Sequence, residues 1–159
     1  MKLPPRLERL RRRHVPDAPL GVPAHQTLLY PFVPADVLDA TVRARLATIF
    51  TTTPAFDFEL AKIARWPDTL YVRPAPAAPF ASLATRLAEA WPEYPLYGRG
   101  VGFAAHVTIA EPADALSDAE LAEACTELPA RRRAAVATVI AEGRDGHWRT
   151  RWRFRLSGG

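Results

Sequence analysis

Two stretches decide how this chain is read: His25-Gln26-Thr27-Leu28-Leu29-Tyr30-Pro31-Phe32 and His106-Val107-Thr108-Ile109-Ala110. Each opens on a histidine followed two residues later by a threonine. In an extended strand side chains alternate faces, so His25 and Thr27 share one face, as do His106 and Thr108, each pair about 6.6 Å apart along the backbone. Around the second stretch the alternation is clean, with Val107 and Ile109 on the opposite, core-facing side. Around the first, Leu28 and Tyr30 fit that opposite side but Gln26 is polar.

Working outward from His25, residues 24–30 read as a strand closed by Pro31 and Pro34. Residues 36–50 read as a helix, with Leu38, Val42, Leu46 and Ile49 at helical spacing. Residues 56–64 and 69–72 form a hairpin across Trp66-Pro67-Asp68. A Pro/Ala loop over 74–79 leads to a helix over 80–91, whose apolar face is Phe80, Leu83, Leu87 and Trp91. A loop rich in Gly, Pro and Tyr spans 92–102.

The second half repeats the order. A strand over 103–110 is followed by a helix that starts at Ser117, with Glu120 in the capping-box position. Leu121, Cys125 and Leu128 form its apolar face, so Cys125 is expected to be buried. Strands over 134–141 and 147–156 close the chain as a hairpin. The first hairpin begins 31 residues after His25 and the second, at Val136, begins 30 after His106.

The repeat predicts an α+β fold that is bilobal, with duplicated β-α-β-β units related by a pseudo-twofold axis around a central cleft. Each copy is expected to bring one His-x-Thr to that cleft. The expected boundaries are a basic N-terminal helix and connector over 1–22 and a single domain over 23–157, with lobes near 23–75 and 103–157 linked by the helix over 80–91.

In-line cleavage of a phosphodiester needs a base for the attacking oxygen and an acid for the leaving one. Imidazole does either near neutral pH. Two imidazoles on opposite sides of one phosphorus divide these tasks. A neighbouring threonine hydroxyl can donate to the non-bridging oxygens, where charge develops. Such chemistry needs no metal, and neither an HxH nor an HExxH spacing occurs in the chain.

The two stretches resemble the paired HxTx motifs of the two-histidine phosphoesterase superfamily. The similarity runs through roughly 23–157 and is nearest to compact bacterial 2′-5′ RNA ligase-like proteins. It implies action on 2′,3′-cyclic phosphates or 2′-5′ linkages of RNA or nucleotides. His25 and His106 would be the catalytic acid/base pair, and Thr27 and Thr108 would hold the phosphate. No cofactor is expected. Which histidine is the base is left open. Longer members begin with an apolar strand, whereas this chain begins with an Arg-rich segment.

Composition narrows the alternatives. The chain has 159 residues, 48% hydrophobic and 24% charged, the balance of a soluble domain able to bury a core. A single cysteine permits no intramolecular disulfide. No apolar run is long enough to span a bilayer, and no apolar segment follows the basic N-terminus. A cytoplasmic monomer without membrane association is expected.

The net charge of +4 is polarised: residues 1–13 carry +5, residues 131–159 carry +6 and the middle carries −7. Arg149, Arg151, Arg153 and Arg155 alternate with Thr150, Trp152, Phe154 and Leu156, a pattern of one solvated face or of a track for an RNA backbone. Trp66 and Trp148 are candidates for base stacking or for packing. Two further readings follow: a module that mainly holds RNA, and a hydrolase of a small cyclic nucleotide.

Overall fold

The computed structural model describes residues 1–94 and 103–159; the loop expected over 92–102 lies, from Pro95 onward, outside the described residues. In chain order the elements are α1 (Pro5–His14), α2 (Ala40–Thr51), β1 (Phe56–Arg65), β2 (Leu70–Ala75), α3 (Ala78–Ala90), β3 (Val107–Ala110), α4 (Asp118–Cys125), β4 (Ala130–Ala134), β5 (Val136–Glu142) and β6 (Trp148–Arg155). The fold class is α+β, with a four-stranded sheet in the order β3-β2-β1-β4 and a separate β5–β6 ribbon. The chain forms two compact units, each assembled from three segments: 1–27, 58–76 and 105–132 in the first, and 28–57, 77–104 and 133–159 in the second.

The first unit is built on β2, which pairs antiparallel with β1 on one side and with β3 on the other. Alternation does the sorting. Leu70, Val72, Val107 and Ile109 are fully or almost fully buried, while Tyr71, His106 and Thr108 are half-buried. Helix α1 packs against β3 and α4. Its Leu7 is fully buried and Leu10 nearly so.

Pro4 offers α1 no side-chain cap. The orphan backbone N–H groups of Arg6 and Leu7 are met instead by the Glu127 carboxylate, at 3.0 and 3.2 Å. Helix α4 carries its own capping box: Ser117 accepts from the Glu120 backbone and the Glu120 carboxylate accepts from the Ser117 N–H.

The second unit packs α2, α3 and the β5–β6 ribbon around Leu46, Ile49, Phe50, Leu83, Leu87, Trp91, Phe154 and Leu156. Phe50 and Phe154 lie 5.4 Å apart and Phe32 meets Trp91 edge-on at 5.2 Å, aromatic contacts that add to the area buried. Asp39 caps α2 by accepting from the Val42 N–H at 2.8 Å.

Several expectations are corrected. No strand forms over 24–30; its Ala24 carbonyl accepts from the Met1 nitrogen and its Thr27 carbonyl from the Gln26 side chain. Strand β3 starts at Val107, so His106 immediately precedes it. A strand over 130–134 that was not expected, β4, carries three consecutive arginines that obscure any apolar alternation. Cys125 is exposed, since α4 ends on it and the buried position is taken by Ala124.

The N-terminal segment forms the helix α1 within the first unit, where Arg11 is only 4% exposed. Each compact unit draws on both halves of the sequence. Strand β3, from the second half, completes the open ladder edge of β2, from the first. Helix α3 belongs to the second unit.

Candidate active site

The first unit takes in both His-x-Thr stretches, 25–27 at the end of one segment and 106–108 near the start of another. They are held differently. Thr108 lies on β3 directly opposite Tyr71 of β2, so their side chains share one face with His106. The turn from β1 to β2 is closed by the Trp66 N–H donating to the Thr69 carbonyl at 2.9 Å. This folds Trp66 back onto the same face, where its ring lies 4.3 Å from Tyr71 and 4.7 Å from His106. Tyr71 in turn meets His106 edge-on at 5.9 Å. The His106 imidazole is therefore fixed by two aromatic neighbours. Of the two readings of Trp66, packing is what the contacts display.

His25 stands on irregular backbone, and three successive carbonyls before it are each engaged. Val22 accepts from the Arg11 guanidinium at 2.7 Å, Pro23 meets His25 Nδ1 at 2.8 Å and Ala24 accepts from the Met1 nitrogen at 2.5 Å. These bonds tie the irregular backbone just before His25 to the N-terminal segment and to the His25 ring. A carbonyl only accepts, so His25 Nδ1 carries the proton and Nε2 holds the lone pair, a tautomer inferred from this contact. Gln26 donates to the Thr27 carbonyl at 2.7 Å, while its own side-chain oxygen is buried without a hydrogen bond. This accounts for the polar residue that broke the alternation.

The surroundings lower the pKa of His25 below its ordinary value. Desolvation by the enclosing chain is the main cause, the Pro23 carbonyl opposes it, and the charges of Arg11, the Met1 amino group and His106 add to the lowering. The residue as a whole is exposed, so solvent moderates the size of this shift, and the charges of Arg11 and the Met1 amino group act in the same direction.

Two residues beyond the two motifs belong to this surrounding, Arg11 and Tyr71. Arg73 is exposed two residues beyond Tyr71, on the same face of β2, and has no ion pair among the described residues. No single-position signal marked them, because their proximity depends on the pairing of β2 with β3 and on the docking of α1. Among the described residues no three His, Cys, Asp or Glu side chains converge in the manner of a metal site. His14 is half-buried with its Nε2 enclosed and without a hydrogen bond, whereas His147 is exposed beside Asp145.

Solved structures share this fold. A crystal structure of a phosphoesterase is similar with a TM-score of 0.57 and 18% identity, covering 99% of this chain and 95% of that one. E. coli LigT complexed with 3′-AMP gives 0.55 and 17%, covering 98% and 94%. The same protein complexed with NADP+ gives 0.57 and 18%, covering 99% and 94%. Comparison with curated protein sequences gave no match. The family model of the 2′-5′ RNA ligase superfamily, however, matches residues 2–147, which includes both His-x-Thr stretches, and the chain belongs to that superfamily.

Proposed function

We propose that the protein is a metal-independent phosphoesterase. In this reading it opens 2′,3′-cyclic phosphates, or cleaves or forms 2′-5′ phosphodiesters, of RNA or nucleotides. His25 and His106 form the acid/base pair and Thr27 and Thr108 hold the phosphate. The observation that carries the reading is that both His-x-Thr stretches belong to one compact unit.

Each side chain then has a task. His25 exchanges its proton through Nε2, since Nδ1 is committed to Pro23. The lowered pKa keeps this ring neutral at pH 7, the form that accepts a proton. His106, held against Trp66 and Tyr71, serves the oxygen on the other side of phosphorus. The threonine hydroxyls donate to the non-bridging oxygens, and Arg73 supplies positive charge on the same face as Thr108.

The test is turnover of a 2′,3′-cyclic nucleotide and of a short RNA ending in a 2′,3′-cyclic phosphate, both in EDTA. His25→Ala and His106→Ala should each lose about 10²-fold or more, the usual contribution of a general acid or base. Undiminished turnover by His106→Ala would refute the two-histidine mechanism. Loss of activity in EDTA with recovery on adding zinc would refute its independence of metal.

A further inference from the structure

An irregularity in β1 decides which way Lys62 faces. Leu60 lies opposite Pro74, and both are fully buried. Uninterrupted antiparallel pairing would set Ala61 opposite Arg73 and turn Lys62 to the core side with Leu60. The register shifts between Leu60 and Lys62 instead, so Ala61 is passed over and Lys62 lies opposite Arg73. One inserted residue of this kind re-aims the side chain that follows it. Beyond the shift the pairing is regular, with Ile63 opposite Val72 and Ala64 opposite Tyr71. Val72 is fully buried, so Lys62, Ala64, Tyr71 and Arg73 take the other face. Tyr71 lies opposite Thr108 on β3, which makes this the face of Thr108 and His106.

The arrangement costs stability. Like charges directly opposite on neighbouring strands repel, and Lys62 and Arg73 are both exposed. Among the described residues neither has an ion pair. Glu59, on the same face opposite Ala75, is already engaged by Arg131 at 3.4 Å. A bulge that brings a second cation up against the first is accounted for by an anion that both hold. Neighbouring strands are about 4.8 Å apart and alternate residues about 6.6 Å, so Arg73 and Lys62 stand roughly 8 and 12 Å from Thr108 across the sheet. That offset is the size of a nucleoside, so the group held there is a second phosphate of the same substrate rather than the reacting one. Two cations match a phosphate monoester, which carries about −1.5 to −2 near pH 7, and exceed the single charge of an internal diester.

We propose that Lys62 and Arg73 form a second anion subsite that holds a terminal phosphate monoester. The preferred substrate is then a small nucleotide bearing such a group at the end of the nucleoside away from its reacting phosphate. Lys62 sets this preference and takes no part in proton transfer. The inference deepens the phosphoesterase reading and rests on it for the reacting group, while the binding at Lys62 needs neither histidine.

The experiment measures kcat/KM of the full chain, in EDTA, for a nucleoside 2′,3′-cyclic phosphate with a free 5′-hydroxyl, for its 5′-phosphorylated counterpart, and for a dinucleotide that ends in a 2′,3′-cyclic phosphate and whose other phosphate is the internal diester. Wild type should prefer the 5′-phosphorylated compound to the 5′-hydroxyl one by about tenfold or more, as a charge-assisted contact implies, and chiefly through KM. Lys62→Gln should lose most of that preference while turning over the 5′-hydroxyl compound as wild type does. Lys62→Arg keeps the charge and should retain the preference. The dinucleotide should gain little from Lys62. Equal turnover of the two mononucleotides by wild type would overturn the proposal. So would a Lys62→Gln variant that keeps the preference, that loses activity on every compound alike, or that loses as much on the dinucleotide as on the 5′-phosphorylated mononucleotide. If wild type turned over none of them, yet calorimetry showed tighter binding of the 5′-phosphorylated compound and Lys62→Gln abolished the difference, the phosphoesterase reading would fall and the subsite would stand.

Discussion

At the scale of single residues, the two histidines differ in what holds them, and this difference is testable. A cation beside an imidazole disfavours its protonated form, so Arg11 contributes to the lowered pKa of His25. Proton titration of the His25 ring by NMR should give a value below the ordinary 6.5, and Arg11→Met should raise it. A value unchanged by that substitution would remove Arg11 from the site. The sign for stability follows. With its folded pKa lowered, His25 binds its proton more readily in the unfolded chain, so stability falls as pH drops below 6.5 toward the folded value. For Thr108, half-buried on β3 opposite Tyr71, replacement by valine keeps shape and strand preference while deleting the donor. Thr108→Val should leave the melting temperature nearly unchanged and lower kcat/KM about tenfold or more, in the range of a lost donor to developing charge. An unimpaired variant would take Thr108 out of phosphate binding. Both motifs were legible because spacing alone exposes them. Arg11 and Tyr71 were not, because they reach the site through pairing between residues far apart in sequence. Cys125 was misplaced because its helix ends on it, where apolar periodicity no longer implies burial.

At the scale of elements, local signals were reliable wherever the chain satisfies itself and failed wherever a distant residue does so. The Ser117–Glu120 capping box was visible in sequence and formed as written. The segment 24–30 has strand-like composition but forms no strand, and the chain leading into it is held by bonds from Arg11, His25 and Met1 to the carbonyls of Val22, Pro23 and Ala24. Likewise α1 begins at Pro4 with no cap of its own, and its first N–H groups depend on Glu127, 120 residues or more away. An anion at a helix N-terminus both accepts hydrogen bonds and favours the helix dipole. Glu127→Ala should therefore destabilise the protein by about 1–2 kcal/mol, measurable by urea unfolding, with Glu127→Gln retaining part of that contribution through its carbonyl oxygen. Since α1 also supplies Arg11, the alanine variant should raise the His25 pKa as well. A stability equal to wild type would show that solvent caps α1 just as well.

At the scale of the whole molecule, the repeat seen in sequence and the compact units seen in structure are different partitions of the chain. Strand, helix and hairpin recur after each histidine, apart from the missing first strand, yet the chain passes from one unit to the other five times. The reason is ladder completion. The β1–β2 hairpin of the first half leaves β2 with an unpaired edge, and β3 of the second half fills it. Helix α2 of the first half packs against β6 of the second. Sequence periodicity reports local structure and face, and it carries no information about which distant edge a strand will join. A consequence follows for folding. Fragment 1–92 would expose the β2 edge and the α2 face, and fragment 93–159 would hold β3 and the β5–β6 ribbon without their partners. An isolated two-stranded ribbon is marginal in water, and a strand lacking its ladder gains nothing to set against its lost conformational entropy. Neither fragment should show a cooperative thermal transition on its own, and mixing them should restore one together with turnover. A sharp transition in either fragment alone would mean that a sequence half is an independent folding unit, and that the interleaved segments are joined after folding rather than by it.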